Sequence, residues 1–187
     1  MRKFEKISFE QFKKDISDDK ELYESYLLPK RSTKNSAGYD IASLEEYTLK
    51  PGEAHIFVTG LKVSMNSDEV LYLYGRSSLG YKYNITLANS VGVIDSDFYN
   101  NVDNEGHFKV KLINHGDTEV KINIGDRIAQ GIFMKYLTVD DEEEIEDMNL
   151  QAKDFLNKLN YLEKKYEYYL EKTDDFKINK EFKKESI

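Results

Sequence analysis

Asn84-Ile85-Thr86-Leu87-Ala88-Asn89-Ser90-Val91-Gly92-Val93-Ile94-Asp95-Ser96-Asp97-Phe98 is the stretch around which this chain is organised. It reads as two short β-prone runs, ITLANSV and GVIDSDF, joined where Gly92 permits a tight reversal. Such a hairpin presents its backbone N–H and C=O groups as a fixed donor and acceptor pattern. Asn89 adds an amide with both functions, Asp95 a carboxylate and Phe98 a flat apolar ring. One short segment thus offers partners for a planar polar ring, a poised water and a platform. Taken alone, the stretch reads more simply as a hairpin whose Asp and Asn satisfy turns.

The flanking sequence is all-β in its punctuation. Short β-prone runs recur at 46–49, 54–59, 61–65, 70–74, 85–90, 108–113, 119–122 and 128–133. Turn signals separate them: Pro51-Gly52, Asn66-Ser67-Asp68, Asn114-His115-Gly116-Asp117 and Gly125-Asp126. Many short strands argue a jelly roll or β-barrel. Clean alternation in Phe108 to Leu112 and in Val120-Lys121-Ile122 predicts strands with one solvated face.

At the start, Ser8-Phe9-Glu10-Gln11 matches a capping box and predicts a short helix with Phe9, Phe12 and Ile16 inward. The polar run Ser17 to Lys20 ends or interrupts it. Lys30 to Asp40, rich in cations and small residues, reads as a loop. Beyond Phe133 the chain holds no Gly, Pro or Arg, and Asp140 to Asp147 is densely acidic. Ile145, Met148, Ala152, Phe155, Leu159, Leu162, Tyr166 and Tyr169 then alternate three and four apart. That stripe predicts either a coiled-coil seam or one amphipathic helix lying on its own barrel. Phe176, Ile178 and Phe182 suggest a final docking strand or turn. The expected organisation is an N-terminal helical segment (1–27), a β domain (28–136) and an acidic linker with a helical tail (137–187).

The 187 residues are enough to bury a core, and 40% hydrophobic content supports one. A net charge of −8 argues against a nucleic-acid binder. An anionic ligand therefore needs a local basic pocket or a metal ion. The absence of cysteine rules out disulfides and thiolate metal sites and fits a reducing compartment. No apolar run approaches a membrane span, and the N-terminus lacks the apolar centre of a signal peptide. A cytoplasmic protein is expected. His55, His107 and His115 show no metal spacing and read as turn or surface residues.

Four segments line up in order: Ala37-Gly38-Tyr39-Asp40, Gly75-Arg76-Ser77-Ser78-Leu79-Gly80, Gly92 to Phe98, and Gly125-Asp126-Arg127-Ile128-Ala129-Gln130. Together they resemble the first four signature motifs of the trimeric dUTPases, over roughly Leu28 to Phe133. The resemblance implies hydrolysis of dUTP to dUMP and pyrophosphate by water attack at the α-phosphorus, dependent on Mg²⁺. It implies Asp95 as the general base, Asn89 with the hairpin backbone (Gly92, Ile94) on uracil, and Phe98, where the family usually has Tyr, beneath the deoxyribose. Arg76, Ser77, Ser78 and Gln130 match phosphate contacts, and Asp40 matches a residue that holds Mg²⁺ through water. Asp126 and Arg127 read as a structural pair fixing their turn. The resemblance also implies a homotrimer with shared active sites.

It departs in two places. Residues 99–107 are longer than the family's short turn, and no glycine-rich arm with an Arg follows Arg127 and Gly131. A Lys-bearing tail that closes the site, weak closure, or a tail that clamps subunits together are the options left open. The alternative function is a catalytically weak dUTP sensor whose helical tail meets a protein partner. The related dCTP deaminases carry a catalytic Glu on the strand after the hairpin, and Phe108-Lys109-Val110-Lys111-Leu112 has none.

Overall fold

Alternation decides which face each strand buries. In Lys109–Asn114, Val110 and Leu112 are buried while Lys109 and Lys111 face solvent, and Val120–Ile122 repeats the pattern. The computed structural model describes residues 1–141, 155–156, 158–166 and 168–169. In chain order these give β1 (Lys3–Lys6), α1 (Phe9–Asp15), α2 (Lys20–Ser25), β2 (Lys30–Arg31), β3 (Tyr39–Ala42), β4 (Tyr47–Leu49), β5 (Ala54–Val58) and β6 (Leu61–Ser64). There follow β7 (Glu69–Gly75), α3 (Ser77–Tyr83), β8 (Ile85–Leu87), β9 (Gly92–Asp95), a 3-10 turn (Ser96–Phe98), β10 (Lys109–Asn114), β11 (Val120–Ile122) and β12 (Arg127–Lys135).

A five-stranded sheet, β2-β3-β12-β7-β9, and a three-stranded sheet, β5-β10-β8, are joined by two ribbons, β1-β6 and β4-β11. Among the described residues all strand pairings are antiparallel. Their inner faces meet in one core, with Ile41, Leu71 and Ile128 from the larger sheet against Phe57, Val110 and Leu112 from the smaller. This is the mainly β, jelly-roll-like architecture that the turn spacing predicts.

The helix at Ser8 forms as expected: the Ser8 hydroxyl accepts from Gln11 N–H at 3.1 Å. The box is not reciprocal. The Ser8 N–H donates to the Glu105 carboxylate at 2.9 Å, and its hydroxyl donates there at 2.5 Å. Asp19, expected only to end α1, also starts α2 by accepting from Leu22 N–H. Three strands escape the sequence reading. β1 carries one buried residue, Phe4, and earns its place by pairing with β6. Lys30 to Asp40 is not simply a loop: its ends are β2 and the start of β3, held because Asp40 and Tyr39 register against β12.

The expected surface role fails for His107, which is 1% exposed. Its Nε2 accepts from Gly60 N–H at 3.0 Å and its Nδ1 meets Asp15 at 2.6 Å, tying α1 to the 99–107 loop. His115 is exposed beside Thr86, and His55 stacks on Tyr47.

Two compact units divide the chain, Met1–Asp140 and Asp141–Ile187. In the second, residues 155–156, 158–166 and 168–169 are helical, and Phe155, Leu159, Leu162, Tyr166 and Tyr169 of the expected stripe fall on them. Ile145, Met148, Ala152 and the expected docking segment Phe176 to Phe182 lie outside the described residues.

Candidate active site

Strand register builds the first half of the site. Asp40 stands opposite Gln130, and Gln130 opposite Tyr74, so the central strands of the larger sheet line these residues up in one row. Asp40 Oδ1 accepts from Arg76 Nη1 at 2.6 Å, while its Oδ2 accepts from Ser32 Oγ at 2.6 Å and Arg127 Nη1 at 3.1 Å. Gln130 Nε2 donates to Gly75 O at 3.3 Å. Gly38 leaves room for this side chain, since a Cβ there would lie 2.6 Å from Gln130 Oε1 and push the amide aside.

Gly75 to Gly80 spans the end of β7 and the start of α3. Buried Leu79 anchors this helix, and Asn84 in the left-handed region closes it. Ser77 and Ser78 occupy its first positions with exposed hydroxyls and with N–H groups that have no carbonyl within the helix to reach. Arg127 is not paired with Asp126, whose carboxylate instead accepts from the N–H and side chain of Asn123. A bulge between Arg127 and Ala129 turns Arg127 toward Asp40. Ser32 and Arg127 are therefore members of this cluster that sequence reasoning missed. Only the bulge and the β2-β3 pairing reveal them, and neither has a residue-level signal.

The second half is the stretch Asn84 to Phe98, and it is not a laddered hairpin. β8 is the edge strand of the three-stranded sheet, and β9 is the edge strand of the five-stranded one. Ala88 N–H still bonds Lys111 O, after which the chain leaves for the other sheet. The reversal falls at Ser90, with φ of 61°, rather than at Gly92. Gly92 is buried because its Cα packs on Leu73, where a Cβ would come to 3.0 Å. Splaying the two runs opens a cleft of about 340 Å³ lined by Leu73, Leu87, Ala88, Asn89, Gly92 and Val110, with Lys109 and Lys111 at its walls. Each strand spends one edge on its own sheet and leaves the other edge's donors and acceptors free for a ligand.

Asp95 ends β9 and precedes the 3-10 turn without capping it. Its exposed carboxylate makes no hydrogen bond or ion pair among the described residues, so it is not a turn-forming Asp. Ile94 and Phe98 are half-buried against the core and fix the strand on either side of it.

A family model described as dUTPase matches residues 24–157. This chain belongs to the dUTPase family. It is 52% identical over 116 residues to the deoxyuridine 5'-triphosphate nucleotidohydrolase of Lactococcus lactis, covering 62% of this chain and 77% of that protein. It is 37% identical over 113 residues to the enzyme of the same name from Nautilia profundicola, covering 60% and 75% respectively. The crystal structure of dUTPase from Streptococcus mutans superimposes with a TM-score of 0.61 at 42% identity, over 73% of this chain and 98% of that one. The dUTPase from phage phi11 of S. aureus, at 22% identity and a TM-score of 0.57, shares the fold.

Within this dUTPase fold the expected residues fall into two groups. Asp40, Arg76, Ser77, Ser78 and Gln130 gather at the β7–α3 junction, whereas Asn89, Gly92, Ile94, Asp95 and Phe98 run from the turn after β8 through β9 to the 3-10 turn. The Mg²⁺ role implied for Asp40 meets a carboxylate already claimed by two guanidiniums and a hydroxyl. Among the described residues no three His, Cys, Asp or Glu side chains gather. Two fixed positive charges beside one carboxylate do not fit a protein-held divalent cation. No helix among the described residues is long and apolar enough to cross a membrane.

Proposed function

We propose that this chain hydrolyses dUTP to dUMP and pyrophosphate, with Asp95 as the general base. The observation that carries the reading is the uncommitted Asp95 carboxylate at the end of the strand whose first residue, Gly92, lines a base-sized cleft, in a chain of the dUTPase family. The water oxygen attacks the α-phosphorus and its proton passes to Asp95. The bond from that phosphorus to the bridging oxygen breaks, and pyrophosphate leaves. A carboxylate with no ion partner is free to accept that proton and to orient the water.

Uracil fits the cleft between β8 and β9. Free edge groups and the Asn89 amide meet its carbonyls and ring N–H, and a base with the wrong pattern leaves a buried polar group unpaired. Phe98 is the platform for the sugar. The triphosphate goes to the β7–α3 junction, where Arg76, Arg127, Gln130 and the Ser77 and Ser78 N–H groups and hydroxyls are phosphate partners. Mg²⁺ enters as part of the substrate, riding on the triphosphate.

Asp95, opposite Val70, stands six residues along β7 from Arg76, a separation that supports the homotrimer with shared sites. β10 carries no carboxylate, which speaks against a deaminase. We assign the activity to the cytoplasm, a reducing compartment that suits a cysteine-free chain. The test is pyrophosphate release from dUTP, dCTP, dTTP and UTP at saturating Mg²⁺. dUTP-selective turnover lost in Asp95→Asn supports the reading; tight dUTP binding without turnover sinks it in favour of a sensor.

A further inference from the structure

We propose that Lys30 is a binding residue for the β- and γ-phosphates of the triphosphate, an inference that rests on the dUTP-hydrolase reading above. Lys30 registers opposite Asp40 across the β2-β3 pair, and Asp40 registers opposite Gln130 across β3-β12. Directly opposed residues in an antiparallel ladder project from the same face. The row Lys30–Asp40–Gln130 therefore extends the phosphate cluster one strand outward, with Lys30 on the order of 10 Å from Gln130 at the backbone. Two contacts fix which face this is. Ser32, two residues on and so on the same side as Lys30, bonds Asp40 at 2.6 Å, and Gly38, two residues before Asp40, packs on Gln130.

Charge argues for the role. Arg76 and Arg127 both bind Asp40, so the cluster's own excess is a single positive charge facing a highly anionic ligand, on a chain of net charge −8. The neighbouring cation Arg31 alternates to the other face and is held by the Lys34 and Ser36 carbonyls. Lys30 is exposed, and its ammonium makes no hydrogen bond or ion pair among the described residues. It is the uncommitted cation on this face of β2. A flexible stem with a point charge suits terminal phosphates that need neutralisation rather than a fixed fork. The competing reading is a lysine that only blunts the sheet edge, β2 being the outermost strand.

The experiment measures kcat and KM for dUTP, and Kd for dUMP and for the non-hydrolysable α,β-imido-dUTP, in the full chain. Variants are Lys30→Ala, Lys30→Met and Lys30→Arg, with Lys121→Ala on β11 as a surface-charge control. Loss of one exposed charge contact is expected to raise KM for dUTP and Kd for imido-dUTP about two- to fivefold. The kcat stays within about twofold, because the lost interaction is uniform binding. Affinity for dUMP is unchanged, Lys30→Arg recovers most of the loss, and Lys121→Ala matches the parent. Parent turnover with no change in Lys30→Ala and Lys30→Met overturns the role of Lys30 and leaves the hydrolase reading intact. Weakening of dUMP in step with dUTP, or no recovery in Lys30→Arg, overturns it in favour of a structural edge residue. A parent chain that neither turns over dUTP nor binds imido-dUTP overturns both.

Discussion

Asp95 and Arg76 stand at opposite ends of β7: Asp95 registers against Val70, and Arg76 follows Gly75 at the far end of the strand. The extended backbone between Val70 and Arg76 spans ~20 Å. The proposed shared site puts the two residues on one dUTP from two different protomers. Mixing two inactive variants, Asp95→Asn and Arg76→Ala, after joint refolding is expected to restore activity. Random assembly gives about a quarter of the sites both wild-type residues, if each site draws one from each of two neighbours. No recovery above either variant alone would rule out the shared site.

Asp95→Asn keeps the shape and hydrogen-bonding size of the side chain while removing its basicity. Its kcat for dUTP is expected to fall about 10²- to 10⁴-fold. KM changes little, because the carboxylate contacts water rather than nucleotide. Steady-state kinetics check this, and a loss confined to KM would recast Asp95 as a binding group.

Gly92→Ala tests the base cleft. The added Cβ meets Leu73 Cβ at 3.0 Å, and the Leu73 side chain also lines the cleft. Overpacking there is expected to destabilise the fold by about 1–3 kcal/mol. KM for dUTP rises as the wall shifts, readable by chemical denaturation alongside kinetics. An unchanged KM would put the uracil elsewhere.

The strands of the core were legible because alternation and turn residues act locally. Val110, Leu112, Val120 and Ile122 announce their buried faces, and Pro51-Gly52 announces its turn. Asp95 and Gln130 stood out in the sequence by residue type and motif position alone. What stayed hidden depends on partners distant in sequence. Lys30 and Arg31 become a strand only because Asp40 and Tyr39 are there to pair with them. Arg127 joins Asp40 through a bulge that no residue type marks. The stretch 84–98 looked like one hairpin because its turn residues are right, yet β10 and β7 outcompete its two halves for each other.

Glu105 replaces the missing half of the capping box on α1. Burial alone pushes its carboxyl up, but hydrogen bonds from Ser8 and the Lys62 ammonium hold it below the usual range. Glu105→Ala leaves the Ser8 N–H without its acceptor and is expected to cost about 1 kcal/mol in thermal or denaturant unfolding. A cost near zero would show that water caps the helix as well.

His107 makes the fold sensitive to acid. Gly60 N–H donates to Nε2, so the ring is neutral and its proton sits on Nδ1, facing Asp15. Burial pushes the imidazole below its ordinary 6.5, against the pull of Asp15. The unfolded chain thus takes up a proton near 6.5 that the folded chain refuses, and stability is complete above that pH and falls as pH drops below it. Asp15 adds loss at lower pH: although burial raises its carboxyl, the bond to His107 holds it below its ordinary 3.8. His107→Gln keeps an amide oxygen for Gly60 N–H and has no titration of its own. It is expected to cost about 1 kcal/mol at pH 7.5, while flattening the stability loss between pH 7.5 and 5.5. Urea unfolding at both pH values measures this, and an acid slope equal to the parent's would mean that other groups carry it.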